Sequence, residues 1–268
     1  MKKEEELINK VRLLLTRANI PRYLHRFGPK IYDLATYLHA LLIRSYCRLS
    51  YRRVFNLFSF FGLKCPSRSS LQYNAKKITP ELWNYLLKYT TGNSYLIALD
   101  SSGFSRTNPS YHYLKRINGA TPQIPIKLSI AFDTRKKKFK AAKIRVLGGH
   151  DVKDAKFLIL QSKPKVLVAD KGYDSGKIHD LCASEKIKVH IPIRKYGKSK
   201  HHCMSNRRKN EKLFRKKTYH RRSLVESAFS LLKRKSGSSV NSKKACTIKS
   251  EIYSRLLSHN LLGRFNEI

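Results

Sequence analysis

The pattern of apolar and polar positions gives the chain two textures. Over the first third, apolar residues recur three and four apart. IYDLATYLHALLIRSY at 31–46 is the clearest case, and LSYRRVFNLFSFFG at 49–62 is a second amphipathic run that stops at Gly62. This spacing puts the apolar side chains on one helical face. CPSRSSLQYNAKKI at 65–78 adds Pro66 and serines suited to capping a third short helix. Residues 1–92 are therefore expected to form an all-helical N-terminal region. A glycine turn followed by a serine-capped basic helix is compatible with a helix-turn-helix that reads DNA, and equally with a plain helical bundle.

From residue 94 the pattern shortens into runs rich in Ile, Val and Leu: YLIALD (95–100), KLSIAFDTR (127–135), FKAAKIRVL (139–147), KVLVAD (165–170) and KVHIPIR (188–194). Between them, DVKDAKFLILQ (151–161) and SGKIHDLCASEK (175–186) return to helical spacing. Three strands, a helix, a strand, a helix and a strand predict an α/β domain over 93–268. KYGKSKHHCMSNRRKNEKLFRKK at 195–217 has almost no apolar content and is expected to be a basic loop. KSEIYSRLLSHNLLGRF (249–265) predicts a final helix, and no internal repeat is present.

Composition narrows the partners. Of the 268 residues 41% are hydrophobic, enough for a packed core, yet 57 Lys and Arg face only 17 Asp and Glu, a formal net charge of +40. Such a charge repels itself in a compact chain and calls for a polyanionic partner. An anionic membrane surface is disfavoured, because the cations are spread along the chain rather than gathered on one amphipathic helix. Nucleic acid fits, since neutralised phosphates release counterions. The five cysteines are odd in number and lack a CxxC pair, which favours reduced thiols in a cytoplasmic setting. The first twenty residues mix both charge signs without a signal-peptide core, and no run approaches the ~20 apolar residues of a membrane span.

YLIALD and KVLVAD share a design, an unbroken apolar run ending in an aspartate. Such runs suit strands buried on both faces, and ligands of parallel sheets bind beyond the carboxyl ends. A strand-terminal Asp can simply form a turn. A matched pair, Asp100 and Asp170, points instead to a divalent cation between them, with oxygen donors suited to Mg²⁺ or Mn²⁺. In TYHRRSLVESAFSLLKRK (218–235) a lone carboxylate, Glu226, stands among cations. On one continuous helix Tyr219, Arg222, Glu226 and Lys233 fall within about 60° of each other. Val225, Ala228, Phe229 and Leu232 would occupy the adjoining buried arc. The acid suits a metal, Arg222 and Lys233 suit phosphates, and Tyr219 can hydrogen-bond or stack. An exposed Glu forming (i, i±4) ion pairs is the plainer reading, but it leaves this segregation of faces unexplained.

These residues resemble the DDE transposases of bacterial and archaeal insertion sequences, in the division with the signature Y-(2)-R-(3)-E-(6)-K. Tyr219, Arg222, Glu226 and Lys233 match it without a gap. VADKGYDS (168–175) resembles the division's second-Asp motif and GGHDVKDA (148–155) its upstream segment. The likeness spans roughly 94–265. It implies a ribonuclease-H-like mixed sheet flanked by helices, with Asp100, Asp170 and Glu226 as catalytic metal ligands for two Mg²⁺ or Mn²⁺ ions. It also implies DNA-backbone contacts from Tyr219, Arg222 and Lys233. The implied function is metal-dependent cleavage at transposon ends and 3′-OH strand transfer into target DNA, of the cut-and-paste type. The partners are terminal inverted repeats and target DNA, bound by a homodimer on paired ends in a nucleoid-associated, cytoplasmic setting. Only 55 residues separate Asp170 from Glu226, too few for a large inserted domain. ALDSSGFSR departs from the commoner D-G-T or D-S-T around the first Asp. The alternatives are a non-enzymatic basic nucleic-acid-binding protein, which needs no such acids, and a stand-alone nuclease with the same triad. His201, His202 and Cys203 lack a second ligand pair for zinc. Asp174 is expected to cap the helix starting near Ser175, and Lys171, Gly172 and Tyr173 to shape the turn, with Gly172 allowing close backbone approach.

Overall fold

A computed structural model describes residues 2–24, 27, 30–106, 116, 125–194 and 205–263. In chain order the helices are α1 (Lys2–Arg17), α2 (Leu34–Tyr46), α3 (Tyr51–Phe60), α4 (Arg68–Lys77) and α5 (Pro80–Thr91). Strands β1 (Leu96–Arg106), β2 (Ile126–Asp133) and β3 (Lys138–Arg145) follow, then α6 (Val152–Ser162), β4 (Val166–Ala169), α7 (Gly176–Ser184) and β5 (Lys188–His190). The rest is α8 (Ser205–Lys212), α9 (Lys216–Tyr219), α10 (Ser223–Ser236), β6 (Ser239–Val240) and α11 (Ala245–Leu262). The chain forms two compact units, one of Met1–Thr90, Ser105–Gln123 and Leu232–Ile268, the other of Thr91–Phe104 and Ile124–Leu231. Among the described residues no helix is long and apolar enough to cross a membrane.

In the first unit the helix ends follow local rules. Asp33 accepts the Thr36 N–H at 2.9 Å, Ser50 that of Arg53 at 3.2 Å and Ser67 that of Ser70 at 3.3 Å. Each satisfies an orphan donor of a first turn. After α3, Gly62 takes a φ of +63°, while its N–H reaches Ser59 O and that of Leu63 reaches Phe58 O. This is the paired bonding of a Schellman stop, and glycine enters it without a Cβ penalty. Seven residues, 61–67, then separate α3 from α4. Helix α11 is buried on almost every face, which its sequence periodicity does not reveal. It packs against α2, α4 and α1. Ser258 donates to Leu42 O at 3.2 Å, and Tyr253 stacks on Trp83 with ring centroids 6.2 Å apart and meets Asn84 Nδ2 at 2.9 Å. Within α11, Glu251 lies between Arg44 (3.3 Å) and Arg255 (2.7 Å), all three buried.

The second unit is built on a sheet ordered β3-β2-β1-β4-β5. β1–β2–β3 are antiparallel and β1, β4 and β5 parallel, the mixed arrangement of a ribonuclease-H-like fold. Ile97, Ala98, Leu99, Leu167, Val168 and Ala169 are wholly buried, as continuous apolar central strands should be. Leu158 and Ile159 of α6 and Ile178 and Cys182 of α7 join the same core cluster. Two expectations need correction here. β1 does not end at Asp100 but continues to Arg106, because β2 pairs with it as far as Phe104↔Ile126 and β6 pairs with its last two residues. The segment 195–217, expected as loop, contains α8 and the start of α9 in its described part. Helix α8 has no apolar stripe, and polar contacts hold it: Asn206 to Asp180 (2.9 Å), Asn210 to His179 Nδ1 (2.9 Å), and Arg207 to Asp174.

Candidate active site

Asp100 and Asp170 are brought together by strand register. The parallel ladder runs from Leu96↔Val166 to Leu99↔Ala169, so the next residues in line are the two aspartates. Adjacent strands lie about 4.8 Å apart, which leaves little room between neighbouring side chains. Asp100 is largely buried and accepts the Ser101 N–H at 2.8 Å, whereas Asp170 is exposed just past the end of β4. Burial pushes the Asp100 carboxyl above its ordinary value. The Ser101 N–H and Arg222 act against that rise, and the charges of Glu226 and Asp170 add to it. The three acids therefore share one electrostatic environment.

Glu226 stands in the first turn of α10, where the helix dipole favours an anion. Val225, Ala228, Phe229 and Leu232 are buried and Glu226 is exposed, so the helix faces segregate as the apolar pattern indicates. The single continuous helix expected for the four signature residues is not observed. Tyr219 closes α9, Arg222 closes a 3₁₀ turn over His220–Arg222, and α10 begins only at Ser223. The tighter 3₁₀ winding breaks the phase between Tyr219 and Glu226. Arg222 nonetheless reaches Glu226 at 2.7 Å and Asp100 at 3.8 Å, and its guanidinium lies 5.9 Å from the Tyr219 ring centre. Lys233 lies two turns beyond Glu226 on α10, about 10 Å along the axis.

Sequence reasoning missed several supporting groups. Ser101, next to Asp100 in the chain, donates to Asp151 at 2.6 Å, and Asp151 also pairs with Lys127. Burial alone would raise the Asp151 carboxyl, but Lys127 and Ser101 hold it below the usual range. The GGHDVKDA likeness was the available signal for that residue. Tyr173 is buried, and burial pushes its pKa up, with the Asp151 and Asp100 charges adding to the rise and Ser101 opposing it. Asp174 is not a helix cap: its carboxylate accepts no backbone N–H from the first turn of α7. It accepts two bonds from Arg207 (2.9 and 2.6 Å), the Arg194 N–H at 2.7 Å and His179 Nε2 at 3.2 Å. Lys171–Tyr173 form a 3₁₀ turn as a turn reading requires. A Cβ on Gly172 would meet only Arg194 Nη2 at 3.8 Å, so no close approach depends on that glycine.

A family model described as the transposase DDE domain matches residues 91–261. The chain belongs to the DDE transposase family. No protein of curated function matches it. Among solved structures, the cryo-electron-microscopy structure of a piggyBac transposase synaptic complex with hairpin DNA is 12% identical. The alignment covers 95% of this chain and 73% of that one, with a TM-score of 0.41.

In this DDE transposase the carboxylates near Arg222 form an all-oxygen donor set suited to a hard divalent cation. The guanidinium bridging Asp100 and Glu226 marks the place where positive charge is needed. Among the described residues, however, no three His, Cys, Asp or Glu side chains are gathered as closely as a formed metal site requires. His201, His202 and Cys203, weighed above for zinc, lie outside the described residues. The buried thiols Cys65 and Cys182, pushed up to about 11 and about 12 by burial, are packing groups rather than ligands.

Proposed function

We propose that this DDE transposase cleaves DNA at the ends of its element and joins the freed 3′-hydroxyl to target DNA, in a cut-and-paste reaction dependent on Mg²⁺ or Mn²⁺. Asp100, Asp170 and Glu226 would hold the metal, and Tyr219, Arg222 and Lys233 would contact the DNA backbone. The observation that supports the reading best is the β1–β4 register, which makes Asp100 and Asp170 neighbours, together with the guanidinium that spans Asp100 and Glu226. Burial, with added repulsion from Glu226 and Asp170, raises the Asp100 carboxyl, a shift that a bound cation would oppose. Bound there, a pair of divalent ions supplies an activated water and stabilises the leaving oxygen at phosphorus.

The chain's own groups do the rest. Arg222 neutralises two carboxylates and presents further N–H donors to a phosphate. Ser101 fixes Asp100 through its backbone N–H and is itself anchored by Asp151 and Lys127. The partners are the terminal inverted repeats and target DNA, with a homodimer on paired ends acting in the cytoplasm.

The test is Mg²⁺- or Mn²⁺-dependent nicking and joining of a duplex carrying the terminal repeat. Asp100→Asn, Asp170→Asn and Glu226→Gln should each abolish both steps, and double variants should lose no more than single ones. Glu185→Gln, at an exposed position on the far end of α7, removes the same charge and should keep activity. Full activity in any of the three, or with excess chelator, would refute the assignment.

A further inference from the structure

A second site lies at the opposite edge of the sheet from Asp100 and Asp170. The amino ends of β1, β4 and β5 open into a groove of about 550 Å³, bounded on its other side by the chain from Asn210 to Arg221. Six cations line it: Arg135, Lys186, Lys188, Arg215, Lys217 and Arg221. No carboxylate does, and none of the six forms an ion pair among the described residues. Like charges converging without counter-ions are costly unless an anionic ligand joins them. Burial, then Arg215 and Lys188, pull the pKa of His190 in the same groove downward.

The floor is different in kind. Leu96, Val166, Ile187 and Val189 line it, and Leu213 remains 67% exposed. Tyr95 is 44% exposed, with the Arg135 guanidinium 4.1 Å from its ring centre. A duplex offers phosphates to such a rim, but its paired bases cannot reach the floor, and the groove is too small to seat one. An unpaired strand offers both, with phosphates on the cations and a base stacked on the aromatic–guanidinium platform.

We propose that this groove binds unpaired DNA, taking a nucleotide-sized stretch of single strand apart from the acidic site. The identity of the polymer as DNA rests on the transposase reading; the existence of the site does not. The wall formed by Arg215–Arg221 runs directly into Arg222, so an occupied groove borders the segment that carries the guanidinium of the acidic site.

The test is fluorescence anisotropy of the full chain with a labelled oligothymidylate of about a dozen nucleotides and a duplex of equal length. Lys188→Glu with Lys217→Glu should weaken strand binding roughly tenfold, the loss of about two phosphate contacts. Lys153→Glu with Lys156→Glu, exposed on α6, changes net charge equally and should cost far less. Equal losses in the two pairs would overturn the proposal. Tyr95→Ala should weaken strand binding by roughly fivefold or more and leave duplex binding unchanged; no selective loss also overturns it. One readout needs no variant. In the unmodified chain, saturating oligothymidylate should raise the His190 pKa measured by NMR, because phosphates then outweigh its cationic neighbours. An unmoved His190 would place the strand elsewhere. None of these measurements involves cleavage, so a failure of the catalytic assignment leaves them intact.

Discussion

Replacing Asp174 with alanine distinguishes two physical roles for that residue by size and by place. A helix-capping aspartate contributes about 1 kcal/mol, and its loss loosens the first turn of its own helix, here α7. The structure instead gives Asp174 a side chain only 1% exposed that accepts two bonds from Arg207 and one each from the Arg194 N–H and His179. Removing one partner of a buried ion pair typically costs about 3–5 kcal/mol, because the other is left without compensation. Arg207 is 13% exposed and can turn partly to water, which argues for the lower end, about 3 kcal/mol. Most of that loss should fall on α8, which is amphipathic in neither charge nor hydropathy and depends on this contact. Hydrogen exchange read by mass spectrometry would measure it. Protection across 205–212 should fall by about a hundredfold, the equivalent of ~3 kcal/mol, while α7 changes far less. A loss near 1 kcal/mol confined to α7 would refute the clamp and restore the cap. Acidification supplies an independent check. Burial raises the Asp174 carboxyl, but the Arg207 and Arg194 hydrogen bonds bring it below its ordinary value. A depressed folded-state value gives stability that is complete above about pH 4 and lost as pH falls through the folded pKa. Protection of α8 should therefore decline with acid in the parent chain and stay flat in the alanine variant.

Glu251→Gln should destabilise the first unit by about 3 kcal/mol in urea unfolding, since it leaves Arg44 and Arg255 buried beside a neutral group. Burial raises the Glu251 carboxyl but Arg44, Ser242 and Arg255 outweigh it, so its contribution too should vanish on acidification below the usual carboxylate range. Arg222→Gln removes the nearest cation from Asp100; the acid limb of the pH–cleavage profile should move to higher pH, and an unmoved limb would mean that Asp100 need not be ionised. A fragment ending at residue 92 lacks α11, which buries Ile248, Ile252, Leu256 and Leu257, each worth about 1.5–3 kcal/mol. It should show no cooperative thermal transition by circular dichroism, and DNA reading by α4 is better tested in the whole chain with Arg68→Ala.

What the sequence determined by itself is what local physics encodes. Apolar spacing of three and four, with serine and aspartate caps and Gly62, is enough to produce α2 to α4 and their ends. Unbroken apolar runs mark β1 and β4 as central strands, because only strands covered on both faces tolerate them. The spacing from Tyr219 to Lys233 is likewise a property of the chain, and so is the family it points to. Tertiary structure decided the rest. That Asp100 and Asp170 stand side by side follows from a parallel register between segments 70 residues apart, and no local pattern specifies a register. Arg222 meets Glu226 as an (i, i+4) pair that the sequence spacing already implies, but its reach to Asp100, 122 positions away, exists only once the segment packs beside β1. Helix α8 reads as loop because its anchors are polar and distant: Arg207 finds Asp174 across 33 positions, and such a contact leaves no repeating trace. Helix α11 is legible as a helix over 249–265, but its burial on almost every face is not, because only the packing of α1, α2 and α4 around it decides that.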